Sequence, residues 1–260
     1  MKTNHRLRLP AVVLVLCMVS MLFIPGNREN IYAKGIDFLI LGVYEKSLDV
    51  GEEFYISAVA SNGDKITFRS SNSKVASVST YGQITAKKPG EAQITISADG
   101  NSEVCKIKVR ETKVKLDRTK ATLYRKGEIT LSVSTNSKTQ PKWKTNKSSV
   151  ATVDNKGNVT AVKHGTATIT VTVDGVRATC EIVVKQPGVS FPRSELTLKQ
   201  GEKIYVKAKV SSGNDPMYSS SNTTVATVDE HGNIYACGKG KAYIYATEDG
   251  IKAKMTVHVK

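Results

Sequence analysis

Aromatic residues make up only 6% of the 260-residue chain, against 40% hydrophobic residues in all. Apolar surface of that kind fills several small cores more readily than one large one, so several small domains are the starting expectation. Cysteine is rare as well. Beyond residue 25 there are only Cys105, Cys180 and Cys237, an odd number at spacings that fit neither a disulfide framework nor a zinc site. The histidines beyond that point are His164, His231 and His258; two fall in turns and one on an outward strand position, and they form no metal trio. No Gly-rich phosphate loop and no Gly-x-Ser-x-Gly nucleophile elbow occurs. Helical periodicity is missing after the first 25 residues. With no catalytic residue, cofactor site or metal site in view, the chain reads as a non-enzyme.

What is present begins with export. Lys2, Arg6 and Arg8 precede an uncharged run from Leu9 to Pro25, the layout of a secretory signal. Cleavage after Ala33 makes 1–33 a signal peptide; the alternative is an uncleaved membrane anchor, since the run sits at the short limit of roughly 17–25 residues for a spanning helix. Leu16 stands before Cys17 where lipidation needs a small residue. Either way residues 34–260 face outward, extracellular or at the cell surface. They carry 34 basic and 22 acidic residues, and the excess is uneven: +1 over 34–110, +8 over 111–185 and +3 over 186–260. Outside a cell such a field meets anionic wall polymers, acidic glycans or membrane surfaces rather than genomic DNA, so no nucleic acid is expected as a partner.

A repeat organises the rest. Val75-Ala76-Ser77-Val78 recurs 75 residues later as Val150-Ala151-Thr152-Val153 and again as Val225-Ala226-Thr227-Val228. Gly82, Gly157 and Gly232 keep that spacing, as do Gly90, Gly165 and Gly240, and the pairs Asp99-Gly100, Asp174-Gly175 and Asp249-Gly250. Such a period is read before any other motif. Each copy is a string of short strands and turns, the pattern of an all-β sandwich. Ala167, Ile169, Val171 and Val173 alternate with threonines, which predicts a half-buried strand. Asp174-Gly175 predicts a two-residue hairpin turn leading into an antiparallel return strand. On that return strand Cys180, Ile182 and Val184 point inward; Cys105 and Met255 share the slot of Cys180, so that slot holds apolar volume. Phe68, Trp143 and Tyr218, also 75 apart, each place a ring in a core. Cys237 is expected to point outward.

The ordered set of aromatic strand, Ser/Asn-rich bend, Val-Ala-x-Val, turn ending in Gly, second Gly and Asp-Gly hairpin resembles the bacterial immunoglobulin-like domain, group 2. All three copies carry it, and the second is the best match. The resemblance implies tandem Greek-key sandwiches of small antiparallel sheets, found on bacterial and phage surface proteins that include intimin- and invasin-type adhesins. It implies adhesion or display and supplies no catalytic residue. The expected domains are 34–110, 111–185 and 186–260. The apolar opening Ile36 to Leu41 suggests an edge strand that pairs unusually in the first copy or contacts whatever lies before it.

Differences between copies point to binding. Tyr235, Tyr243 and Tyr245 stand at outward strand positions where the other copies have Thr or Gln, and exposed rings stack on sugars; Tyr235 is on the opposite sheet if the sandwich is as drawn. Lys142 and Lys144 flank the inward Trp143 and offer a basic surface to teichoic acid or an acidic glycan. These five are the candidate ligand contacts. The expected partners are a cell-wall polymer, a glycan or a host surface protein, with the membrane met only through an uncleaved N-terminal segment. The acidic pairs Glu52-Glu53 and Glu248-Asp249 are too few for calcium and read as solvated surface.

Overall fold

The structure is a computed structural model that describes residues 38–61, 65–98 and 100–260. The expected signal segment 1–33, Cys17 and Asp99 of the first Asp-Gly pair lie outside the described residues. Among the described residues there are 27 strands and no helix, nine strands to each copy of the repeat.

The middle copy shows how the sequence builds the module. Gly165–Val173 and Val176–Val184 pair antiparallel along their full lengths, from Gly165 opposite Val184 to Val173 opposite Val176. Asp174 and Gly175 between them have φ of 50° and 88°, the positive angles an Asp-Gly hairpin accepts. Lys142–Thr145 joins this hairpin antiparallel on one side, and Lys120–Leu123 joins it on the other. A second sheet has the order Glu128–Thr130, Asn158–Ala161, Ala151–Val153, and Val114–Leu116 pairs with Val133–Thr135. The first and third copies repeat the scheme with the same strand orders.

Between the sheets lies the core. Ala167, Ile169, Val171, Cys180, Ile182 and Val184 are all at most 2% exposed, and each fully buried aliphatic side chain contributes about 1.5–3 kcal/mol. Cys105, Cys180 and Met255 share the expected slot at 0% exposure; burial raises the Cys105 and Cys180 thiols above their usual pKa, which leaves them unreactive. Cys237 is exposed. Trp143 is half-buried against the core of its own module, as Phe68 is in the first. Gly157 is required beneath the indole: its φ is 87°, and a Cβ there would sit 2.6 Å from the Leu131 carbonyl and 2.9 Å from Trp143 Cζ2. In the third module the Tyr218 hydroxyl accepts a hydrogen bond from the Ala208 amide at 2.8 Å, which lets a polar ring fill the same place.

Two expectations are corrected. The sandwich is not wholly antiparallel, because Lys120–Leu123 runs parallel to Val176–Val184, as do the matching strands of the other modules. The opening segment pairs first with Val133–Thr135, crosses over at Asp117, and continues in the same direction beside the last strand; hydrophobic alternation records a strand but not its direction. The apolar opening of the first copy also pairs in the ordinary way. Leu39–Leu41 lies against Ala58–Ala60 as Val114–Leu116 lies against Val133–Thr135, and Leu39 and Leu41 are buried in the module's own core.

Candidate binding faces and the joints between modules

In the third module, strand Gly240–Glu248 buries Ala242, Ile244 and Ala246 at 0% exposure, and the alternation turns Tyr243 and Tyr245 outward on the four-stranded sheet. Lysines crowd both rings. Lys241 and Lys254 place their Nζ atoms 5.1 and 4.8 Å from the centre of Tyr243, and Lys252 lies 4.8 Å from the centre of Tyr245. The two tyrosines are brought together; Tyr235 is not. It belongs to Asn233–Ala236 in the three-stranded sheet, opposite Lys203, whose Nζ is 4.8 Å from its ring. The Tyr235 hydroxyl raises Lys203 above the usual lysine pKa. With ammonium groups over the rings, the Tyr243–Tyr245 face offers concentrated positive charge instead of bare aromatic planes.

Lys142 and Lys144 are exposed, beside Thr172 and Thr170 on the outer face of the middle module's four-stranded sheet. The single acidic side chain on the strands of that face, Glu181, binds Lys120 at 2.7 Å. A face of threonines and lysines can make charge-assisted contacts to a polyanion. Among the described residues no three His, Cys, Asp or Glu side chains converge as metal ligands.

The groups that sequence reasoning missed lie between modules. Glu248 is 1% exposed and Asp249 has a side chain 3% exposed, so this pair is not solvated surface. Arg125 of the middle module donates through Nε to Glu248 Oε1 at 2.7 Å. Asn214 donates to the same oxygen at 3.1 Å and to the Arg125 carbonyl at 2.8 Å. Asp249 accepts the His164 amide at 2.7 Å and faces His164 Nδ1 at 3.0 Å. Glu248 Oε2 is buried without a hydrogen-bond partner, a costly arrangement unless the ion pair holds the carboxylate in place. The sequence did contain a hint: Glu248 continues the inward series Ala242, Ile244, Ala246, a phase that a solvated carboxylate would not take.

The first joint uses the matching ends of its modules. Asp49 accepts from Arg110 Nε at 2.8 Å and from Asn136 Nδ2 at 2.6 Å. The Val50 carbonyl accepts from the Lys138 amide at 2.9 Å and the Ser137 hydroxyl at 3.2 Å. Thr112 of the connecting segment donates to Asp174 at 2.8 Å. Burial by itself would raise Asp49, but bonds from Arg110 and Asn136 and the charges of Arg110 and Lys138 overcome it and hold the carboxyl below its ordinary range. Burial likewise works against Asp174, and the hydroxyls of Ser137, Thr139 and Thr112 lower it further than burial raises it.

These features define a tandem array of immunoglobulin-like sandwiches joined end to end. The model of the bacterial Ig-like domain (group 2) matches residues 46–109, 110–184 and 186–259, and the chain belongs to that family. No curated protein matches it. Among solved structures, the I9–I11 tandem from titin is similar with a TM-score of 0.50 at 9% identity, covering 85% of this chain and 99% of that one; the likeness concerns fold alone. Surface layer protein SbsC, domains 1–6, matches at 17% identity with a TM-score of 0.26. That match covers 88% of this chain, which spans 41% of the SbsC chain. The C-terminal fragment of intimin, solved in complex with the intimin-binding domain of the translocated intimin receptor, matches at 17% identity with a TM-score of 0.30, over 61% of this chain and 67% of that one.

Proposed function

We propose that the protein is a non-catalytic extracellular surface protein in which residues 1–33 direct export or anchor the chain and the modules 34–110, 111–185 and 186–260 form an adhesive or display rod. The observation that carries this reading is the pair of joints. Each fastens one end of a module to the opposite end of the next through buried or half-buried polar groups, with connecting segments as short as Arg110-Glu111-Thr112. A flexible string of domains has no use for an arginine of one module held against the buried Glu248 of the next. Modules of about 75 residues are each roughly 30 Å across, so the rod is roughly 90 Å long. Small-angle scattering of the mature chain is expected to give a maximum dimension near that length, and a compact particle would exclude the rod.

A second reading is favoured by the lysine–tyrosine face of the third module: a carbohydrate- or anionic wall-polymer-binding protein. Because Lys241, Lys252 and Lys254 crowd Tyr243 and Tyr245, the chemistry suits an anionic polymer better than a neutral sugar, which needs an open ring face. Retention on purified cell walls should then fall with salt and drop again on Lys252→Ala plus Lys254→Ala. Salt-insensitive retention sinks this reading.

A further inference from the structure

The four-stranded sheet of every module ends in an unpaired edge: Thr67–Ser70, Lys142–Thr145 and Met217–Ser220 are the terminal strands. An exposed edge is a template for pairing with another chain, and proteins blunt it with outward charges or proline. The first two modules do so with Arg69 and with Lys142 and Lys144. The third does not. At the corresponding places it has Met217, 75% exposed, and Ser219, also exposed, and no charged residue occurs from Pro216 to Val228. An open cleft beside this edge is lined by Met217 and Tyr218 together with the charged residues Lys207, Asp215, Asp229 and Glu230, so the charges of this end lie next to the strand and not on it.

We infer that the edge strand Met217–Ser220 is a self-association surface, which pairs antiparallel with the same strand of a second copy to make a continuous sheet across a two-fold axis. The register follows from the backbone. The Ser221 amide donates inward to the Tyr243 carbonyl, so by alternation Met217 and Ser219 also bond inward, and Tyr218 and Ser220 turn their amides and carbonyls to the open edge. Two copies satisfy these groups when Tyr218 lies opposite Ser220 of the second copy, which sets Ser219 against its own counterpart on the axis. Pro216, with no amide hydrogen, ends the pairing on that side.

The same register in the other modules explains the choice of a second copy. It would set Lys144 against Lys144 in the middle module and Arg69 against Arg69 in the first, and like charges directly opposite are destabilising. Of the three edges Thr67–Ser70, Lys142–Thr145 and Met217–Ser220, only the last is neutral and compatible with itself. On this view Lys142 and Lys144 keep their own edge free, a role separate from any polymer contact.

Sedimentation equilibrium of the full chain carrying Cys17→Ser and Cys237→Ser, which leaves only the buried Cys105 and Cys180 as thiols, tests the inference. That chain is expected to form a dimer, and adding Ser219→Lys, which copies the guard of the middle module at an exposed position, should weaken the dimer by up to about fivefold. Adding Ser219→Thr should leave it unchanged. Ser219→Cys in the same background should give a disulfide-linked dimer on mild oxidation, since the two residues face each other on the axis. A monomer at all concentrations, a dimer indifferent to Ser219→Lys, or a Ser219→Cys chain that fails to cross-link would overturn it.

Discussion

The two joints use the same ends of the module and different chemistry. Arg125 of the middle module stands where the first module has Val50, and Glu248 of the third stands where the middle has Val173. Val50 and Val173 are 4% and 1% exposed, so the first joint has two buried aliphatic side chains at the places where the second pairs a half-buried Arg125 with a buried Glu248. Both partners change together. The lesson is that a repeat conserves the geometry of a junction while leaving its interior free to be apolar or charged, provided each side answers the other.

The largest effect that would break this comparison comes from Trp143→Ala. The middle module supplies a surface to both joints, and losing the indole should cost about 3 kcal/mol; calorimetry is expected to show its transition fall and both junctions lose their coupling. If the outer modules keep their coupled unfolding, the joints are not what couples them. Next, Arg125→Ala leaves Glu248 buried and uncompensated, a loss of about 3 kcal/mol at the second joint, seen as a lower melting temperature of the third module. The double variant Arg125→Val plus Glu248→Val recreates the aliphatic arrangement and should return to within about 1 kcal/mol of the parent; if it stays as unstable as Arg125→Ala, the two joints are not interchangeable.

A smaller effect distinguishes the joints by acid. Asp49 and Asp174 of the first joint have depressed pKa values when folded. Their stabilisation is therefore complete above the ordinary carboxylate range near pH ~4 and is lost as the pH falls below it through the folded values. The hydrogen-exchange protection factors of Ser137 and Lys138, taken relative to the intrinsic rate at each pH, should fall over that acidic interval, and Asp49→Asn should remove part of the dependence. Protection factors that stay constant at low pH would mean that these carboxylates do not hold the junction.

Most of the module was legible from periodicity. The 75-residue repeat gave the copies, alternation gave Gly165–Val173 and its partner, and Asp174-Gly175 gave the turn. Tyr243 and Tyr245 emerged on one outward face as alternation requires, with Tyr235 on the other sheet. What escaped were relations between distant segments. The parallel pairing of Lys120–Leu123 carries no local mark, and Glu248 meets Arg125 across 123 positions, where no periodicity within one module can report the contact. The lysines over Tyr243 were hidden for a related reason: Lys254 comes from the neighbouring strand, and only the register of the hairpin places it diagonally beside the ring.

Residual dipolar couplings measured on all three modules in one weakly aligned sample test most directly whether the junctions fix the modules to one another. A single alignment tensor is expected to fit the amides of all three sandwiches at neutral pH. Three tensors of different magnitude, one to a module, would mean that the sandwiches reorient independently and that the contacts of Asp49, Arg125 and Glu248 do not set their arrangement in solution.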